Sequence, residues 1–133
     1  MIIIKIILGA LAYILPSMPW GYFWHLKVFK KNYDKWQYFG PAPSVPLAFL
    51  AMFIQGTILS VTYAILPVEH ASIANIFIFA SIMGIFFWSR VVVPSMASHV
   101  TTRTPGFFFL ETAYLVGQYA LFGALLCVVY LYV

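Results

Sequence analysis

The chain has 133 residues, of which 64% are hydrophobic and only 8% charged. A water-soluble domain carries about a quarter charged residues, so this composition excludes one: there are too few polar side chains to cover its surface. The net charge of +4 does not point to nucleic acid, because the cations flank apolar stretches, where they meet anionic lipid headgroups.

A membrane-spanning helix needs about 20 mostly apolar residues. Four stretches qualify, at about 2–24, 45–66, 72–93 and 107–133. The expected fold is therefore an all-α membrane protein, a four-transmembrane-helix bundle in one domain over residues 1–133 with no soluble head.

The first span contains Pro16 and Pro19. Proline lacks the backbone donor and crowds the preceding turn, so a kink near mid-membrane is expected. Tyr13, Ser17, Trp20 and Trp24 share one helical face. They read first as a packing face ending in an interfacial aromatic belt, and second as an aromatic-lined pocket. A signal peptide carries its positive charge ahead of the apolar stretch. Here four of the five lysines come after it, so the span reads as a permanent anchor.

The basic loop 25–44 interleaves Lys27, Lys30, Lys31 and Lys35 with Leu26, Phe29, Tyr33, Trp36, Tyr38 and Phe39. That pattern suits a short amphipathic segment at the membrane surface. Gly40, Pro41, Pro43 and Pro46 break it and start the second span. This span carries Gln55 and a stripe of small residues, Gly56, Ser60 and Ala64, which lets helix backbones approach closely. Glu69 and His70 mark the next turn. The third span holds Asn75 and Arg90, with Pro94 expected to end or bend it. Thr104, Pro105 and Gly106 separate it from the fourth span, which bears a second small-residue stripe of Ala113, Gly117, Ala120 and Ala124. The second and fourth spans are the expected close-packing pair, within one chain or between copies.

Six of the seven cations fall in the first and third gaps or their flanks; only Lys5 is elsewhere. The positive-inside rule puts those gaps in the cytoplasm and both termini on the other side. The expected location is the bacterial inner (plasma) membrane.

Glu111 is the residue most in need of explanation. A charge at the bilayer centre costs about 2.5–3.5 kcal/mol on the insertion scale. Arg90, near the cytoplasmic end of the third span, is the expected partner. Tyr114 and Gln118 follow Glu111 on one face at i+3 and i+7, and Gln55 is the polar residue of the second span. These five make a candidate intramembrane polar site, read either as a structural ion pair or as a proton or substrate site. His25 and His99 share one mouth with Met18 and Met96, but no third ligand has a diagnostic spacing for copper or haem. No metal site or cofactor is expected, and the loop histidines read as solvated. The single cysteine, Cys127, forms no intrachain pair, which excludes thiol–disulfide membrane oxidoreductases. No phosphate loop, nucleophile elbow or zinc motif is present, and the single aspartate argues against two-metal chemistry. No catalytic residue is assigned.

Gly21, Tyr22, Phe23 and Trp24 close the first span, and Lys35 and Trp36 stand in the basic loop. These segments resemble the DUF1761 type of small bacterial four-span membrane proteins, and the likeness begins there. It continues in Trp88 to Pro94 leaving the third span, and in Arg103, Thr104 and Pro105 ahead of Glu111, Tyr114 and Gly123. Members of that type tend to carry Asp where this chain has Glu111. The resemblance implies the four-helix fold and membrane location, but no activity.

The leading functional expectation is a non-enzymatic integral membrane protein that binds a lipid or a protein partner, as an accessory subunit or homo-oligomer. A small proton-coupled transporter built on the Glu111–Arg90 pair is the alternative. A lipid-modifying enzyme with Glu111 as acid or base comes last, because general acid–base work needs a second polar group within reach and only Tyr114 offers one by spacing.

Overall fold

Apolar runs this long leave the backbone one way to satisfy its own polar groups inside a hydrocarbon layer, the α-helix. The computed structural model describes residues 1–36, 38–39, 44–97 and 105–133. The Gly40–Pro43 break, His99 and Arg103 lie outside the described residues. Helix α1 spans Ile2–Phe23 and runs into a wider π-helical turn, Trp24–Val28. The other helices are α2, Lys30–Lys35; α3, Val45–Ile65; α4, Ile73–Ala97; and α5, Pro105–Tyr132. Four of them are long and apolar enough to cross a membrane, the architecture of a multi-pass membrane protein. Many of the large apolar side chains on these four helices point outward, among them Leu47, Ile58, Phe86, Phe109 and Val116. In water that surface would be a liability; in lipid it is the solvated face.

Helix ends follow local chemistry. Ser44 caps α3, its Oγ accepting the Leu47 N–H at 3.3 Å, with proline in the first turn, where the missing donor costs nothing. Leu66 turns extended ahead of Pro67 and closes α3. The turn to α4 is tied by Tyr63 Oη donating to the His70 carbonyl at 2.8 Å and by Asn75 Nδ2 donating to the Glu69 carbonyl at 3.0 Å. Two boundaries differ from expectation. Helix α4 runs through Pro94 to Ala97. The first span continues as helix to Val28, and its departure from α geometry comes after both prolines, at Trp24–Val28.

In the bundle α1 packs against both α3 and α5, and α4 packs against α5. The helices thus sit in the order α3, α1, α5, α4. The two outer helices, α3 and α4, share no extended interface, although Tyr63 and Phe79 bring them together beside their connecting turn, with ring centroids 5.1 Å apart. α5 is the most enclosed helix, with 56% of its most apolar window buried against 17% for α3. The amphipathic reading of the basic segment is refined by α2: Lys30, Lys31 and Lys35 are exposed, while Tyr33 and Trp36 pack on Phe107 of α5.

The small-residue stripes meet different neighbours from those expected. Gly56 and Ser60 of α3 lie on α1, not on α5: a Cβ at Gly56 would stand 2.9 Å from the Ala10 carbonyl oxygen, and Ser60 Oγ donates to the Ile6 carbonyl at 2.6 Å. On α5 only Gly117 of the stripe makes a close approach, to the Trp20 ring of α1; Ala113, Ala120 and Ala124 are exposed. α1 is long, aromatic and central, so both small-residue helices close on it instead of on each other.

Candidate functional site

A buried carboxylate needs a partner, and Glu111 is only 1% exposed. It sits near the start of α5, facing the end of the first span. There the π turn holds His25, also buried. Such wider turns inside helices are frequent at functional sites. Here the turn directs the imidazole between two acceptors. His25 Nδ1 lies 3.0 Å from the Gly21 carbonyl oxygen, and Nε2 lies 2.9 Å from Glu111 Oε1. Tyr33 Oη donates to the same Oε1 at 3.3 Å and accepts from Trp24 Nε1 at 3.0 Å. The Tyr38 hydroxyl also interacts with this carboxyl group.

Aromatic rings enclose the imidazole. Tyr33 and Tyr114 meet it edge-on with centroids 4.4 Å away, and Tyr38 stacks on it at 5.4 Å. Burial first, and the neighbouring Glu111 second, push the Tyr33 and Tyr38 phenols well above their ordinary value. Both therefore remain protonated and available as donors across the working pH range.

The pair borders a cavity of about 320 Å³ lined by residues of all four spans. Ser17, Gly21 and His25 line it from the first span, Ala48, Met52 and Gln55 from α3, Phe87 and Val91 from α4, and Glu111, Tyr114 and Gln118 from α5. It lies toward the basic-loop end, where α3 begins and α4 approaches its end. Among the described residues the lining is apolar apart from the Glu111–His25 group, the three hydroxyl-bearing side chains of the spans (Ser17, Tyr22 and Tyr114), two glutamines, and Tyr38 and Ser44 at the loop end. A larger cavity of about 500 Å³ lies between α4 and α5, beside Trp88 and Thr112. Among the described residues no carboxylate, histidine, lysine or arginine lines it, so the chemistry belongs to the smaller one.

A second polar cluster lies deeper. Gln118 Nε2 donates to Tyr13 Oη and to Ser17 Oγ, each at 3.0 Å, and Tyr13 Oη donates to Gln55 Oε1 at 2.8 Å. The chain of bonds staples α5 to α1 and α1 to α3. Interhelical hydrogen bonds in membranes are individually modest, so Gln118→Leu, which removes two, is expected to lower stability by about 1–2 kcal/mol. Unfolding in mixed micelles titrated with SDS would measure it; an unchanged midpoint would show that the staple contributes nothing.

Four of the five residues singled out from the sequence therefore line one cavity: Glu111, Tyr114, Gln118 and Gln55. Arg90 does not join them. It is exposed on α4, and the Glu111 partner is His25. The expected Glu111–Arg90 pair is corrected accordingly: α4 turns Arg90 outward, while the first span carries its helix one turn further than expected and brings His25 in. His25, Tyr13, Ser17, Tyr33 and Tyr38 complete the site. A signal for His25 was present, since Tyr13, Ser17, Gly21 and His25 continue one i+4 row. It is hidden when the span is ended at Trp24. Among the described residues no three His, Cys, Asp or Glu side chains gather as a metal site.

No protein-family model, curated protein or solved structure matches the chain.

Proposed function

We propose that this is a multi-pass protein of the bacterial inner membrane that binds a lipid-like amphiphile inside its bundle, without itself catalysing a reaction. The observation that carries the reading is a buried acid–histidine pair at one end of a largely apolar cavity bounded by α3 and α4, two helices with no extended interface. Apolar pockets with a few convergent polar groups are the usual form of small-molecule sites. A gap between two outer helices gives access from the lipid, so a ligand need not pass through water. Its apolar chain lies between α3 and α4 and its polar end meets Glu111 and His25. The concentration of lysines in the 25–44 loop supports a cytoplasmic orientation for this end. The exposed Ala113 and Ala120 on α5 support contact with a further helix, from a second copy or a partner subunit.

Ala48 provides the test, because it lines the cavity yet is exposed on α3. Ala48→Trp fills the space without entering the packed core. Mass spectrometry of lipids that co-purify with the protein is expected to show about a tenfold loss of bound lipid, with the SDS unfolding midpoint unchanged. Retention equal to the parent protein would remove the reading.

A further inference from the structure

The identity of the polar group in the cavity follows from counting protons at Glu111, given the amphiphile-binding reading above. The Gly21 carbonyl can only accept a hydrogen bond, so His25 Nδ1, 3.0 Å away, must carry a proton. The 2.9 Å contact between His25 Nε2 and Glu111 Oε1 then needs one further proton, held by either atom. If Nε2 holds it, the pair is imidazolium and carboxylate. If Oε1 holds it, the pair is imidazole and carboxylic acid. In both forms Glu111 Oε2 is left as a pure acceptor, and in both forms the pair is neutral overall.

Oε2 is buried and meets no donor within 3.5 Å among the described residues, although Glu111 lines the cavity. Leaving such an atom unmet costs more than an average hydrogen bond gains. Its missing partner must be a donor. It must also be neutral, since a cation or an anion would add a net charge to a neutral pair in an apolar surround. Among the described residues no lysine or arginine lines the cavity to compensate an anion. We infer that the cavity selects a neutral, hydroxyl-bearing amphiphile whose hydroxyl donates to Glu111 Oε2. Phosphorylated lipids, fatty acids and amines are discriminated against, and so is an ether of the same length, which lacks the donor.

The test uses the intact protein in lipid nanodiscs equilibrated with equal amounts of 1-dodecanol and dodecyl methyl ether, and in separate samples with dodecylamine or dodecyl phosphate. Native mass spectrometry reads the retained adduct. The expected result is retention of the alcohol over the ether by on the order of tenfold, about the worth of one hydrogen bond. Loss of that preference in Ala48→Trp would locate it in the cavity. Equal retention of alcohol and ether would overturn the inference, with water meeting Oε2, while leaving the amphiphile-binding reading standing. Preference for the amine or the phosphate would overturn it too, as would an alcohol preference that survives in Ala48→Trp. Retention of none of the four would overturn both readings together.

Discussion

His25→Leu is expected to destabilise the protein by about 3–5 kcal/mol, the usual cost of breaking a buried pair from one side. The substitution strands Glu111, which is 1% exposed and has no other ionic partner among the described residues. Tyr33 and Tyr38 still interact with the carboxyl group, but neither supplies a positive charge or takes its proton. Glu111→Leu strands the imidazole in turn, inside its aromatic enclosure. The double variant is the informative one. Replacing both partners by apolar groups removes the two desolvation penalties together, and exchanges of this kind are often neutral. His25→Leu/Glu111→Leu is therefore expected to be more stable than either single variant. SDS unfolding of all four proteins closes the cycle, and strictly additive losses would show that the two side chains are not coupled. Arg90→Ala serves as the control. Arg90 is exposed and does not pair with Glu111, so its loss should stay within about 0.5 kcal/mol.

Gly56→Leu is the second large effect, with an expected loss of about 3 kcal/mol, at the upper end of overpacking costs. A Cβ there would meet the Ala10 carbonyl oxygen at 2.9 Å and Ile14 Cγ1 at 3.0 Å. One of those obstacles is backbone and cannot rotate away. α3 has its extended interface with α1 alone, so relief comes by moving α3 off α1. That movement also breaks the Ser60 bond to the Ile6 carbonyl and widens the cavity. The loss of stability should therefore be accompanied by loss of bound lipid. Ala51→Leu, five residues away on the exposed face of α3, places the same side chain in lipid and is expected to change neither. Equal midpoints for the two variants would mean that α3 does not depend on close approach to α1.

These two sites divide what is legible along the chain from what is not. The four spans are local properties: each is a run of apolar residues long enough to cross a bilayer, and no distant residue has to be known to find it. Glu111 stands out by the same logic, since an acid inside such a run is costly wherever its neighbours lie. Gln55, Gln118 and Tyr114 were legible because polar groups are scarce in these spans. Pairing is a different matter. Helices made almost wholly of apolar residues have weak sequence asymmetry, and lipid solvates each face about as well as another helix does. Nothing in the α3 and α5 stripes alone says that Gly56 and Gly117 both close on α1. Arg90 and His25 are both basic residues near the same end of the bundle. Charge alone favours Arg90 as the partner of Glu111, and only the order α3, α1, α5, α4 together with the π turn selects His25. The sequence by itself determined the solvent, the number of spans and the acid that must be buried. The tertiary structure decided its partner and the cavity they share, because those depend on which helix faces meet, and in lipid that is set by side-chain packing across the bundle.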